Sequence, residues 1–584
     1  MKLIQNLSLS TSPRHHLRVI ILLFMMMLLT ACVGQTPTAS PMETQAETGE
    51  AEDNTAISTP TDIALNGPVS LYLDETLPSG LIKVESASNI TLSSEEEASL
   101  WLGPVSRAPQ GEVLFTVTWV YALAAPFPTL TDNVTSPDLE MFWQGSMEDA
   151  LSSASKLYLP KSLAKILDAL WGDHDSSRVE TFKDIPDSEI LWDENAWAVL
   201  PFDSLNTKLK VISVDGLSPL FNDFDPEAYA LTVEFVLVMN EDNKVALSES
   251  DLRSLTDTIQ STNRDPDKLT TLVMTGVTAL VRATAYKMEI NGLTYPGEEI
   301  VDWLSEADLT HISNEVSFYP NCPYPNPNSR SLLFCSNPDY IELFDFVGAD
   351  IIELTGNHNN DSLYVYGADV VPFTLNLYQQ HGMVYFGGGH DLEEATTAAL
   401  VTHNGNQLAF IGCNLTGPDH AWATETGGGA APCGDYQWMT DEISRLSDEG
   451  FLVIATFQYT ENYSNTAGER QIKDFRLMAE AGAVIVNGSQ AHRPKGMAFD
   501  QDAFIDYGLG NLFFDQMGVT IGGVMIEQTR WEVIQRHTFY DGQHLSTELL
   551  TAMLEDYAQP RPMTEKERLV FLEELFIASG WDPR

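Results

Sequence analysis

The chain has 584 residues, with 83 acidic against 31 basic side chains and a formal net charge of -52. That balance argues against nucleic acid as a partner, since phosphates need Lys and Arg, and against docking on anionic lipid through a basic patch. Hydrophobic residues make up 43%, enough for packed cores and too many for a disordered chain.

Lys2, Arg14 and Arg18 precede an apolar run, Val19 to Leu29. A basic start followed by an apolar stretch too short to span a bilayer comfortably predicts a secretory signal over residues 1–31. The run ends in Leu29-Thr30-Ala31-Cys32, which resembles the bacterial lipoprotein box. The resemblance implies that Cys32 carries lipid and holds the protein to the cell membrane on its extracytoplasmic face. Several acyl chains on one Cys give the stable anchoring that a single chain does not. Residues 32–66, rich in Thr, Pro, Ala, Ser and Glu, cannot bury enough surface to order themselves and read as a tether.

Residues 67–240 read as an α/β domain. Val113 to Ala124 has the β-branched and aromatic content of a strand. Ser136 to Gly145 reads as a helix, Lys156 to Leu159 as a strand, and Ser162 to Trp171 has apolar residues at helical spacing. Leu209 to Val214 is a further strand stopped by Asp215-Gly216. Pro126-Phe127-Pro128-Thr129, Trp143-Gln144-Gly145 and Ala196 to Phe202 look like part of a solute-binding-protein lobe. Exposed Trp side chains would suit stacking on sugar or peptide, whereas the commoner place for them is the core. Residues 241–268 are polar, with a short amphipathic helix at Leu252, Leu255 and Ile259, and read as a linker.

From residue 269 helices and strands alternate, which calls for a layered α/β architecture. Strands are expected at 270–275, near 308–315, and at 349–354, 383–386, 407–413, 451–457 and 483–487. Helices are expected at 295–306, 340–347, 370–381, 437–448 and 471–482. The domain is taken to run to residue 540, with residues 541–584 as a helical tail centred on 564–581. The 349–354 strand runs into Thr355-Gly356-Asn357-His358-Asn359-Asn360-Asp361. This stretch could be a plain turn. It also places Asn357 and His358 at the C-terminal end of a strand, where open α/β sheets bind ligands, with Asp361 able to orient the His358 ring.

Beyond Cys32 there are four cysteines, Cys322, Cys335, Cys413 and Cys433. In an oxidising compartment they suggest two disulfides. The pairs closest in sequence are Cys322 with Cys335 and Cys413 with Cys433, and the other connectivities stay open.

Between about Leu269 and Gln516 the chain resembles the capsule-synthesis CapA (poly-γ-glutamate capsule) family. The pieces that carry the likeness are Gly356-Asn357-His358 with Asp361, Gly387-Gly388-Gly389 before Glu393-Glu394-Ala395, and Val453 to Phe457 with Glu461 and Tyr463 beyond. Glu480-Ala481-Gly482-Ala483 leading into Gly488, and Tyr507 to Gln516, complete it. The resemblance implies a metallophosphoesterase-like layered α/β sandwich with a metal-type site at the strand ends. It also implies departures. The family's Asp is Val277 here, and two of its histidines are Gln458 and Gln490.

Those departures shape the functional reading. Divalent metals prefer carboxylate and imidazole ligands. What remains, Glu315, Asn357 and His492 beside His358, could hold one weakly bound divalent ion and hardly two, which removes two-metal hydrolysis. Asn314, Gln458, Ser489 and Gln490 would line a neutral cleft suited to sugar hydroxyls or peptide amides. The favoured expectation is a CapA-like lipoprotein that binds an exopolymer or cell-envelope component. Two alternatives stay open. One is an active hydrolase or transferase using His358 and Asp361 as acid/base. The other is a solute-binding lipoprotein.

Overall fold

The computed structural model describes residues 69–83, 90–146, 151, 154–245 and 247–584. The predicted signal, Cys32 and the whole tether lie outside them. Among the described residues no helix is long and apolar enough to cross a membrane.

The first part is built around one long strand, Gly111–Pro126, which pairs antiparallel with Thr232–Asn240, Trp197–Pro201 and Leu209–Val214 in a ten-stranded mixed sheet. Helices Ser136–Trp143 and Lys161–Trp171 pack their apolar stripes on it through Leu139, Phe142, Leu163, Ile166 and Leu167. Trp119, Trp143 and Trp197 are all buried in this core, so they are not a ligand-stacking surface. Residues 241–268 are more than a spacer. Asn263 is buried and bonds both the N–H and the C=O of Val120, at 2.8 and 2.9 Å, and Arg264 lies over Phe224.

The second part contains two large sheets, besides two small two-stranded ones. In the first, Leu269–Met274 (β1), Leu309–Asn314 (β2), Ile351–Glu353 (β3) and Val384–Phe386 (β4) run parallel. In the second, Ala399–His403 (β5) pairs antiparallel with Asn406–Asn414 (β6). Leu452–Gln458 (β7), Ala483–Asn487 (β8) and Ala503–Asp506 (β10) then continue it in parallel, and Met497–Asp500 (β9) closes the edge. Trp531–Tyr540 (β11), Gln543–Glu555 (β12) and Gln559–Pro562 (β13) return antiparallel to extend the first sheet beyond β1.

The two sheets face each other across an apolar layer that includes Leu272, Ile351, Phe386, Phe410, Ile454, Ile485 and Val533. Helices Arg282–Asn291 (α1), Ile341–Val347 (α2) and Val370–Gln380 (α3) cover the outer face of the first sheet. Gln437–Asp448 (α4) and Glu469–Glu480 (α5) cover that of the second. The result is a helix–sheet–sheet–helix sandwich, the layered α/β class expected from the alternating pattern.

Two expectations need correcting. Residues 541–584 are not a helical tail: β12 and β13 belong to the sheet, and only Glu565–Ala578 (α6) is helical, opened by a Thr564–Glu567 capping box. The alternation in β12 is masked because it is buried along most of its length. The expected 295–306 helix is broken into a 3-10 turn, Tyr295–Gly297, and a short helix, Val301–Ser305, as Pro296 and Gly297 would dictate. The disulfides are Cys322–Cys335 and Cys413–Cys433.

Candidate functional site

The C-terminal ends of β2, β3, β7 and β8 converge at one edge of the sandwich, and the chain leaves each of them through a polar turn. Glu315 follows β2, Thr355 to His358 follow β3, Glu461 follows β7, and Ser489 to His492 follow β8. Gly356 is required here. A Cβ on it would lie 2.4 Å from both Cα and Cβ of Glu315, so only glycine lets the β3 turn press against the β2 exit. Asn359 pins that turn by donating to the Gly356 carbonyl at 3.0 Å, and Asn414 donates to the Thr355 carbonyl at 2.8 Å.

His358 sits with its Nδ1 2.6 Å from Asp361 Oδ2. The Asp361 carboxylate also accepts the Phe334 N–H at 2.9 Å and lies 3.6 Å from Nε2 of His420. Burial alone would lower the His358 pKa, but the hydrogen bond to Asp361 and the charge of Glu315 outweigh it and raise it. His492 is held by Asn511 Oδ1 at 2.8 Å on one ring nitrogen and faces Glu461 Oε1 at 3.5 Å with the other. Burial opposes its protonation too, yet Glu461, with Glu315 behind it, pushes its pKa up to about 9. Glu461 also accepts from Asn357 Nδ2 at 3.4 Å. Its own pKa ends low, because His492 overcomes the cost of burial. Glu315 is 1% exposed, neither carboxylate oxygen has a hydrogen-bond partner, and burial raises its pKa. Asn357 Oδ1 is likewise buried and unpartnered.

Glu315, Asn357, His358, Asp361 and His492 therefore share one hollow, and Glu461 joins them. Glu461 and His420 are functional candidates that the sequence reading did not assign. Glu461 could have been found by its place three residues beyond a strand end. His420 could not, because it arrives on a distant loop.

The other four residues lie deeper or elsewhere. Asn314 does not face the hollow: its amide donates to Tyr378 OH at 2.6 Å and to the Val316 carbonyl at 2.8 Å, on the helix-covered side. Strand alternation sends neighbouring side chains to opposite faces. Ser489 donates to Glu353 Oε1 at 2.6 Å and Gln490 to Ser313 Oγ at 2.5 Å, both bonds crossing between the sheets. Gln458 is fully buried with neither amide atom bonded. Glu353 meets His311 at 3.2 Å, and that imidazole overcomes burial to keep the Glu353 pKa low.

A two-metal centre does not fit this donor set. Val277, Gln458 and Gln490 stand at three of the strand ends. Both ring nitrogens of His492 already face protein partners. Among the described residues no three His, Cys, Asp or Glu side chains are grouped to hold an ion. What the hollow does offer is three buried acceptors without partners, the Glu315 carboxylate oxygens and Asn357 Oδ1, between two imidazoles that favour the charged form.

Residues 271–516 match the family described as bacterial capsule synthesis protein PGA_cap. A capsule biosynthesis protein CapA of Bacillus anthracis is 22% identical over 260 residues, 44% of this chain and 62% of that protein. A PGA biosynthesis protein CapA of Bacillus subtilis (strain 168) is 25% identical over 208 residues, 35% of this chain and 52% of that one. The chain thus spans about half to three-fifths of the length of these curated relatives. A solved putative 5'-nucleotidase from Staphylococcus aureus is 11% identical over 52% of this chain and 58% of that one, with a TM-score of 0.31. The hollow of Glu315, Asn357 and His358 falls inside the matched segment, and over residues 271–516 this chain is similar to the bacterial capsule-synthesis CapA proteins.

Proposed function

We propose that the protein serves exopolymer assembly at the bacterial envelope by binding rather than by two-metal hydrolysis, tethered to the membrane through a lipid on Cys32. The observation that carries this reading is the set of buried acceptors without partners on Glu315 and Asn357. An unpaired buried acceptor costs about 1–3 kcal/mol, and a ligand that brings hydroxyl or amide N–H donors removes that cost. Sugar hydroxyls and peptide amides both qualify. The raised pKa of His358, whose Nδ1 is held by Asp361, leaves its other ring nitrogen as a donor for a carboxylate on the same polymer.

The test is metal content of the purified protein after dialysis, beside a generic phosphoesterase assay with Mg, Mn or Zn added. Sub-stoichiometric metal and no turnover are expected. Metal-dependent turnover would overturn the proposal.

A second reading is favoured by the 2.6 Å His358–Asp361 contact. In that reading one weakly held divalent ion sits on Glu315 and Asn357, and His358 is the acid/base of an active enzyme. His358→Ala would then abolish turnover while leaving the fold intact.

A further inference from the structure

A cavity lies on the seam between the first part and the sandwich and shares no residue with the hollow. Its walls are the strand Leu209–Val214 and the turn after it on one side, and β12 and α6 on the other. It encloses about 170 Å³. An apolar cavity of about 150 Å³ is enough to hold a benzene ring.

The chemistry changes from floor to mouth. Phe127, Leu220, Leu572 and Phe576 are buried and give an apolar floor. Lys210, Arg568 and Asp132 line the polar side. Asn133 and Gly216 are exposed at the mouth, where the Asn133 side chain accepts the Gly216 N–H at 2.7 Å. Asp132 accepts from Lys210 Nζ at 2.6 Å and from Arg568 Nε at 2.7 Å, so one carboxylate serves two cations. Glu548 also lines the cavity, but Arg536 already engages it at 2.9 Å. Two carboxylates thus face three cations, and one positive charge is left over.

That surplus has an open donor. Lys210 is mostly buried, and burial pulls its pKa down to about 8 although Asp132 opposes this. An ammonium has three hydrogens to donate. Asp132 takes one and the Thr129 carbonyl, at 2.8 Å, a second. Among the described residues nothing accepts the third. The Ser213 and Ser546 hydroxyls also line the cavity, and among the described residues neither is bonded to the protein. Burying a cation is costly unless it is paired and hydrogen-bonded, and a bond to an anionic acceptor is about twice as strong as a neutral one.

We infer that this seam cavity binds a small monocarboxylate with an aromatic or branched aliphatic body, its carboxylate on Lys210 and its body against Phe127, Leu220, Leu572 and Phe576. A dianion such as phosphate overshoots the single surplus charge and leaves the apolar floor bare. A neutral ring leaves the ammonium unanswered. The inference concerns a site apart from the hollow, so it stands or falls without the function proposed above.

Titration calorimetry on the full chain tests it with benzoate, isovalerate, benzyl alcohol and inorganic phosphate. Benzoate or isovalerate should bind at one site per chain, about tenfold or more tighter than benzyl alcohol or phosphate. Lys210→Met keeps an unbranched stem and removes the charge, and should weaken carboxylate binding by about tenfold or more. Ser213→Leu fills the cavity from its wall without altering a charged group, and should abolish binding. It decides the matter if circular dichroism shows that Lys210→Met does not fold. The inference is overturned if neither carboxylate binds at millimolar concentration, if benzyl alcohol or phosphate binds as tightly, or if carboxylate binding is unchanged in a folded Lys210→Met or in Ser213→Leu.

Discussion

At the residue scale, His492 is strongly perturbed. Its pKa rises from 6.5 to about 9 against the opposing pull of burial, because Glu461 and Glu315 face it. The sign follows from proton binding. The folded state holds the proton more tightly than the unfolded chain, so the stabilisation is fully present below pH 6.5 and is lost as pH rises through about 9. At about 1.4 kcal/mol per unit it amounts to roughly 3 kcal/mol at most. Replacing His492 with Gln should therefore destabilise the protein at pH 6 and matter progressively less towards pH 9.5, as read by denaturant unfolding across that range. A destabilisation that stays constant with pH would show that Glu461 and Glu315 do not hold the proton there.

At the scale of elements, the loop from Cys413 to Cys433 shows how a covalent tie serves the site. It carries His420 to within 3.6 Å of Asp361, and Asn360 donates to the His420 and Gly428 carbonyls at 3.0 and 3.2 Å. The disulfide closes that loop at its base, with Cα atoms 5.0 Å apart. Replacing both cysteines with Ala should cost about 2–4 kcal/mol, chiefly by freeing the unfolded loop. Hydrogen exchange should then quicken at the Asn360 and Asp361 amides as well as within the loop. If exchange quickens in the loop alone, the loop does not brace the β3 turn.

At the scale of the whole molecule, the ten-stranded sheet of the first part is fastened to the sandwich by aromatic packing. Phe127, just past the long first-part strand, reaches into the layer between the two sheets. Its ring meets Phe499, Phe504 and Trp581 at 5.4, 5.7 and 5.7 Å. Arg568 on α6 pairs with Asp132 at 2.7 Å on the same seam. Truncating Phe127 to Ala should cost about 3–5 kcal/mol. Because the loss falls on the seam, it should split a single calorimetric transition into two. One transition, merely shifted downwards, would mean that the two parts do not unfold independently even when their seam is weakened.

Most strands and helices of the sandwich were legible as periodic apolar runs, because burial on one face leaves a mark every two or every three to four residues. The Gly356-Asn357-His358 turn was legible too, because glycine, asparagine and histidine after a buried strand form a local pattern. What the chain could not disclose locally was which way each side chain faced. Asn314 and Glu315 are neighbours, yet one bonds Tyr378 under the helices and the other lines the hollow. Nor could it disclose that β11 and β12, from the far end of the chain, complete the first sheet beside β1. Sequence alone determined the family resemblance, the layered class and the polar turns at the strand ends. Only the tertiary structure decided the partners of His358 and His492, since Asp361, Glu461 and Asn511 are assembled from separate turns and loops by the packing of two sheets.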